Sequence, residues 1–285
     1  MPPTIALLTD FGLSDHYVGA MKGAILSVCP DAVLVDLVHE LPAFDVLAGA
    51  FALAAACPAF SAGTVFVAVV DPGVGSPRRG LALSAGGQLF VAPDNGLLGL
   101  VMAERGGGPL HEITNSGLFR AEVSATFHAR DVFGPVAAHL ARGLPLARVG
   151  PPVADPLPLP LAAPTEVAPG EWAAAVVHVD RFGNLTTNLS ADRLRRIAQD
   201  APASGLVVRI EGEAVPLART YADVPAGEAC ALLGSAGFLE IAVNQGEASR
   251  LLGAGRGSAV RVRARAAVLC SRPLPQRAPA REALA

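Results

Sequence analysis

The chain carries a single lysine, Lys22, and aromatic residues make up only 5% of its 285 residues. Alanine, glycine, proline and arginine are abundant instead, a compositional bias that carries no function by itself. A net charge of -3, with the arginines spread along the chain, excludes the clustered basic face that a nucleic-acid surface needs. Cys29, Cys57, Cys230 and Cys270 lack any CxxC spacing, so neither a zinc site nor a disulfide framework is indicated. They read as small buried hydrophobes in a reducing compartment. No HExxH or CxH spacing offers a metal centre. The chain also has no GxGxxG fingerprint and no P-loop, which leaves it without a pyrophosphate cradle of either kind. The opening MPPTIALLTDFG has no basic region before its apolar run, and that run is too short for a membrane span or a cleavable signal. A soluble, cytoplasmic protein is expected.

What the chain does have is apolar residues in quantity: 52%, ample for buried cores in one large domain or two. TIALLTD is an apolar run ending in Asp10, and Val18, Met21, Ile25 and Val28 then recur at helical spacing between Asp15 and Val28. AVLVDLV predicts a second strand, Phe44 to Ala56 an Ala-rich helix stopped by Cys57 and Pro58, and TVFVAVVD a third strand. Continuous apolar strands separated by helices predict a parallel sheet covered on both faces, over residues 1–150. GLALSA and QLFVAPDNG predict a hairpin or further strands, and Asp131 to Arg142 a helix ending at Gly143. The proline-rich stretch 151–169 holds neither periodicity and reads as an extended linker. Beyond it WAAAVVHVD, LTTNL, LVVRIEG, AVPLART, ACALLGS, FLEIAVN and SAVRVRARAAVL predict a small antiparallel β domain over 170–270, with a brief helix at Glu247–Leu252. The Pro-, Arg- and Ala-rich segment 271–285 predicts a disordered tail.

Five clusters of polar residues need a reason. DPGVGSPRRG (Asp71–Gly80) follows an apolar strand and sets a carboxylate at its end, with two arginines seven and eight residues on. A Gly-rich turn lets Asp71 face Arg78 or Arg79 at the sheet rim where open α/β folds bind ligands; a solvated surface ion pair is the plain alternative. Asp10, in TDFG, either accepts two hydrogen bonds from a vicinal diol such as a ribose or caps the helix that follows. His128 in TFHARD, commonly a structural position for a lone histidine, would complete with Asp71 and Arg78 a set able to position and deprotonate water. DRFGNLTTN (Asp180–Asn188) is either a plain β-turn or a clamp in which Phe182 stacks and Asp180 takes an ammonium group. LGSAGFLEIAVNQG offers Ser235, Gly237 and Phe238 at a strand end, where a hydroxyl and free N–H groups could bind a carboxylate; a tight turn is the alternative.

In this order and at these spacings, TDFG, VVDPGVG with its arginine pair, APDNG, TFHARD, DRFGN and GSAGFLEIAVN resemble the S-adenosylmethionine (SAM) hydroxide adenosyltransferase family. These are the SAM hydrolases, relatives of the fluorinases and chlorinases, and the likeness runs from Ile5 to Val268. The resemblance implies a Rossmann-like α/β N-terminal domain with a mostly parallel sheet and an antiparallel, β-barrel-like C-terminal domain. It implies a homotrimer with active sites between the N-terminal domain of one subunit and the C-terminal domain of the next. By motif, Asp71, Arg78 and His128 match the hydrolases' water-activating set. The halogenating relatives have a tyrosine where Asp71 stands, and the fluorinases a halide-binding serine where Ala129 stands. Asp10 matches the ribose-binding acid, and Phe44 sits where relatives place a ring beside the sugar. Asp180 and Ser235 match positions that hold the methionine amino and carboxylate groups, with Phe182 and Asn184 as further substrate contacts and Phe238 beside them. Val243 stands where fluorinases carry an arginine. The implied reaction is SAM hydrolysis to adenosine and L-methionine, with SAM as substrate and neither cofactor nor metal. A SAM-dependent halogenase and a non-catalytic adenosyl-ligand sensor are the competing readings.

Overall fold

Runs of five or six mostly apolar residues form all but the short last strand of the first sheet, and the helices between them place small or branched residues inward. In the computed structural model, which describes residues 2–199 and 205–264, these are β1 (Thr4–Thr9), α1 (Tyr17–Val28), β2 (Val33–Val38), α2 (Val46–Ala56) and β3 (Val65–Val69). A hairpin, β4 (Gly80–Ala85) and β5 (Gln88–Pro93), is followed by α3 (Gly99–Arg105), β6 (Leu110–Glu112) and α4 (Gly134–Ala141). The strand order is β2-β1-β3-β5-β4-β6. The pairs among β2, β1, β3 and β5 are parallel, whereas β4 pairs antiparallel with both β5 and β6. Alternation along β1 feeds two cores. Ile5 and Leu7 pack with Met21 and Ile25 of α1 and with α4, while Ala6 and Leu8 pack with Leu53 of α2 and Val101 of α3. Each such large aliphatic side chain, fully buried, contributes about 1.5–3 kcal/mol.

The second sheet is antiparallel throughout. It comprises β7 (Thr165–Ala168), β8 (Glu171–Val179), β9 (Leu185–Ser190), β10 (Leu206–Ile210), β11 (Glu213–Val215), β12 (Ala229–Leu233), β13 (Phe238–Val243) and β14 (Ala259–Ala264), with α5 (Ala191–Gln199) and the short α6 (Ala248–Leu251). Its path runs β11-β10-β14-β8-β9-β13-β12, and Ala231 of β12 hydrogen-bonds to Pro216 and Ala218 just past β11, curling the sheet into a barrel-like closure. Its interior is aliphatic: Val176, Leu185, Ile210, Leu239, Ile241 and Val260. Phe51 of α2 packs on Phe238 and stacks on His178 at 4.8 Å, joining the two domains.

Four differences from the sequence expectation have physical causes. Strand β7 lies inside the stretch expected as linker, because Thr165 and Glu166 pair with Ala173 and Trp172 of β8. Helix α5 was not expected; only Leu194 and Ile197 among its first residues are buried, and Ser190 accepts a hydrogen bond from Arg193 N–H to start it. Helix α3, also unexpected, is short and ends on Gly106 at φ 78°. The helix expected from Asp131 to Arg142 is a π-helical turn over Ala129–Phe133 continued by α4. Pro135 has no N–H for the Asp131 carbonyl, which accepts from Arg120 N–H at 3.0 Å instead. Cys270 and the segment 271–285 lie outside the described residues.

Candidate active site

The chain enters α1 on one face of the first sheet and α2 on the other, so the strand order reverses between β1 and β3. Such a switch point opens a crevice at the carboxyl ends of the two strands. Asp10 directly follows β1, and Asp71 lies two residues past the end of β3. Asn95 fixes the latter strand end, since its Nδ2 donates to the Val70 carbonyl at 2.8 Å.

Asp71, Arg78 and His128 form one hydrogen-bonded chain. Arg78 Nε donates to both Asp71 carboxylate oxygens at 2.9 and 3.0 Å, and its Nη2 donates to Asp71 Oδ2 and to His128 Nδ1 at 2.9 Å. The Asp71 side chain is 5% exposed and that of Arg78 11%, so this pair is largely screened from water. The guanidinium lies 5.0 Å from the Phe133 ring centroid, which holds its plane. Burial first, and the Arg78 charge second, push the His128 imidazole below its usual range, so the ring is neutral at pH 7. A guanidinium only donates, so Nδ1 is the accepting nitrogen and Nε2 carries the proton. Arg79 is committed elsewhere: it donates to Asp94 and Asp155.

Two tight backbone features bring these groups together. Gly75 has φ +79°, and a Cβ there would lie 2.5 Å from the Ala125 carbonyl oxygen, so the DPGVG loop packs directly on the segment leading to His128. Asp131, fully buried, accepts from Arg130 and from Ser124 N–H and anchors that segment from below. Burial alone would raise its carboxyl, but these partners outweigh it and hold it below the usual carboxylate range.

Asp10 does not cap α1; its Oδ2 accepts the Phe44 N–H at 2.8 Å. Phe44, whose N–H that carboxylate accepts, stands at φ 65° and is 71% exposed. Next to Asp10 and His128 lies a cavity of about 460 Å³ lined by Phe11, His16, Tyr17, Thr126, Phe127 and Arg130. Their rings pack edge on, with Tyr17 to Phe127 at 5.2 Å, and Arg130 covers Phe127 at 4.8 Å. Sequence reasoning passed over these lining residues; their signal was adjacency to TDFG and TFHARD.

On the second domain, Asp180 closes its own turn, accepting from the N–H groups of Phe182 and Asn184 and from Asn184 Nδ2. Phe182 is 72% exposed, and Ser235 is exposed at the β12–β13 turn. The Phe238 ring is not with them; it is buried against Phe51 between the domains. Among the described residues, no hydrogen bond or ion pair joins Asp71, Arg78, His128, Asp10 or Phe44 to Asp180, Phe182, Asn184 or Ser235. Nor does any group of three or more His, Cys, Asp or Glu residues among them have a metal-holding arrangement.

Residues 5–150 match the N-terminal domain of SAM hydroxide adenosyltransferases, and residues 174–261 match their C-terminal domain. The chain belongs to the SAM hydroxide adenosyltransferase family. It is similar to an (R)-S-adenosyl-L-methionine hydrolase of Salinispora tropica, 42% identical across 92% of this chain and 98% of that protein. A hydrolase of the same name from Thermus thermophilus is 43% identical across 90% and 98%. A fluorinase of Nocardia brasiliensis stands further off, at 31% across 85% and 90%. Among solved structures, an uncharacterized conserved protein from Thermotoga maritima superposes with a TM-score of 0.83 at 39% identity, across 92% of this chain and all of that one. Within the SAM hydroxide adenosyltransferases, then, the chain stands nearer these hydrolases than this fluorinase.

Proposed function

We propose that the chain hydrolyses S-adenosyl-L-methionine to adenosine and L-methionine. The observation that carries this reading is the Asp71–Arg78–His128 chain at the β1/β3 switch point, a largely buried carboxylate held in a cation-bridged geometry at the carboxyl end of the parallel strands. Water attacks ribose C5′ in line with the C5′–S bond. That bond breaks as the C5′–O bond forms, and its electron pair leaves with sulfur as the neutral thioether of methionine. The sulfonium therefore needs no general acid; only the nucleophile must be prepared.

Arg78 decides the roles of its neighbours. By occupying His128 Nδ1 it leaves that ring with only an N–H at Nε2, a group that orients water but takes no proton from it. Asp71 Oδ2 accepts from both Nε and Nη2 of Arg78, but Oδ1 accepts only from Nε and keeps a lone pair, so Oδ1 accepts the proton water loses. Such base assistance is worth about 10²- to 10⁴-fold, with positioning adding more. Asp10 takes the ribose hydroxyls, Phe44 lies beside the sugar, and Asp180, Phe182, Asn184 and Ser235 hold the methionine end. Among the described residues no hydrogen bond or ion pair joins the group of Asp71 to that of Asp180, which supports a complete site supplied by two chains of a homotrimer. Phe238 contributes by packing its ring on Phe51 between the domains rather than by touching substrate. Free, buried Cys29, Cys57 and Cys230 fit a reducing cytoplasm, and no helix among the described residues is long and apolar enough to cross a membrane.

The test is turnover of SAM in ¹⁸O-labelled water, with the nucleoside followed by mass spectrometry. Adenosine labelled at its 5′ oxygen is expected. Unlabelled adenosine, no product, or a 5′-halo-nucleoside formed with fluoride or chloride would overturn the reading.

A further inference from the structure

A second polar network lies behind the crevice, and the hydrolytic chemistry does not use it. Thr9, the last residue of β1, is fully buried, and its Oγ1 lies 2.8 Å from Nδ1 of His39. His39 Nε2 lies 3.0 Å from Asp36 Oδ1, and Asp36 Oδ2 accepts from Lys22 Nζ at 2.7 Å. The His39 side chain is 1% exposed. Lys22, the only lysine in the sequence, stands at the solvent end of this line.

With the imidazole of His39 neutral, the hydrogen bonds run in one direction. A carboxylate accepts, so His39 Nε2 carries a proton and donates it to Asp36. Nδ1 is then the acceptor and takes the Thr9 hydroxyl proton, which leaves the Thr9 oxygen free to accept the Phe11 N–H at 3.3 Å. Burial alone would raise the Asp36 carboxyl, but Lys22 and His39 outweigh it and hold it below its usual range. Asp36 thus stays ionised and fixes the tautomer of His39. An ion pair as exposed as Lys22–Asp36 adds little stability of its own.

The same histidine grips the other side of the TDFG turn. Its carbonyl accepts the Gly12 N–H at 2.7 Å, where Gly12 stands at φ 69°. Asp10 is therefore bracketed: Thr9 is held by the ring of His39, Gly12 by its carbonyl, and the Asp10 carboxylate by Phe44 N–H. A buried polar network with every member satisfied holds one backbone geometry rather than several.

We infer that His39 is a positioning residue which, locked in its Nε2–H tautomer by Asp36, aims the Asp10 carboxylate at the two hydroxyls of the substrate ribose through Thr9. This rests on Asp10 being the ribose-binding acid, as proposed above. The measurement is calorimetric affinity for adenosine and for 2′,3′-dideoxyadenosine, which lacks the diol, in the full chain and three variants. Thr9→Val keeps the shape and removes the hydroxyl. His39→Gln places an amide where Nε2 stood and abandons Thr9, whereas His39→Asn places a carbonyl where Nδ1 stood and keeps that link.

Thr9→Val and His39→Gln are expected to weaken adenosine about tenfold, the loss of one net hydrogen bond, while leaving the dideoxy nucleoside within about twofold. His39→Asn recovers most of the loss. Equal losses on both nucleosides would mark a merely structural residue and overturn the inference, as would no loss on either. If the wild-type chain binds neither nucleoside, the adenosyl reading of the site fails. Amide hydrogen exchange then decides the network alone: faster exchange at residues 9–13 in Thr9→Val and His39→Gln, but not in His39→Asn, upholds it, and unchanged exchange overturns it.

Discussion

Arg78 and Arg79 are chemically identical neighbours with opposite tasks. The two side chains, next to each other just before β4, go to different partners. Arg78 reaches Asp71 and His128, while Arg79 reaches Asp94, which is buried and also accepts Leu157 N–H at 2.8 Å. Arg79 therefore ties the interdomain segment to the hairpin rather than serving the crevice. Lysine cannot reproduce the guanidinium fork. Arg78→Lys is expected to lower kcat/KM for SAM about 10- to 100-fold, the loss of one charge-assisted hydrogen bond. Arg79→Lys is expected to stay within about threefold and to show its cost, about 1–2 kcal/mol, in thermal melting instead. The reverse pattern would exchange their roles. The sequence named Asp71 directly, as the carboxylate ending an apolar strand. Composition and spacing left the arginine open, and the family likeness favoured Arg78, because side-chain reach is not written in a run of RR.

At the scale of elements, the site depends on two loops meeting. Gly75 allows it on two counts, a left-handed φ and contact with the Ala125 carbonyl. Gly63 offers a control, since it has φ +83° but open space around its missing Cβ. Gly63→Ala should cost about 1 kcal/mol of stability and leave turnover unchanged. Gly75→Ala adds the clash and should separate Asp71–Arg78 from His128, cutting kcat more than about tenfold; equal behaviour of the two variants would show that loop contact is irrelevant. The π-helical turn after His128 was hidden from periodicity, since Asp131, Val132 and Pro135 fit a helical reading. Only the missing N–H of Pro135 foretold an irregularity, and which carbonyl it would release depended on Arg120 lying nearby.

At the scale of the molecule, two exposed aromatic rings stand at half-sites on different domains: Phe44 at 71% and Phe182 at 72% exposure. Single exposed rings are ordinary in themselves, but these two stand at the two halves of the proposed site. A site shared between subunits makes a sharp prediction. Asp71→Ala and Asp180→Ala variants, each nearly inactive alone, should regain about a quarter of wild-type activity when mixed one to one and allowed to exchange subunits, because only interfaces pairing the two intact halves work. No recovery after confirmed exchange would place each whole site within one chain.

What the sequence determined by itself is the order of elements and the kind of chemistry. Apolar runs ended by acids, helical spacing and glycine-rich turns are local signals, and they placed Asp10, Asp71 and His128 at the ends of strands or helices. What tertiary structure alone decided is partnership. The reversal of strand order between β1 and β3 puts Asp10 and Asp71 on one rim. The packing of one loop on another gives Arg78 two partners, and the line from Lys22 at the surface to buried Thr9 spans three elements that no local pattern connects. Such contacts join residues 30 and 50 positions apart. They are set by how the sheet and its covering helices fill space, which no short stretch of sequence encodes.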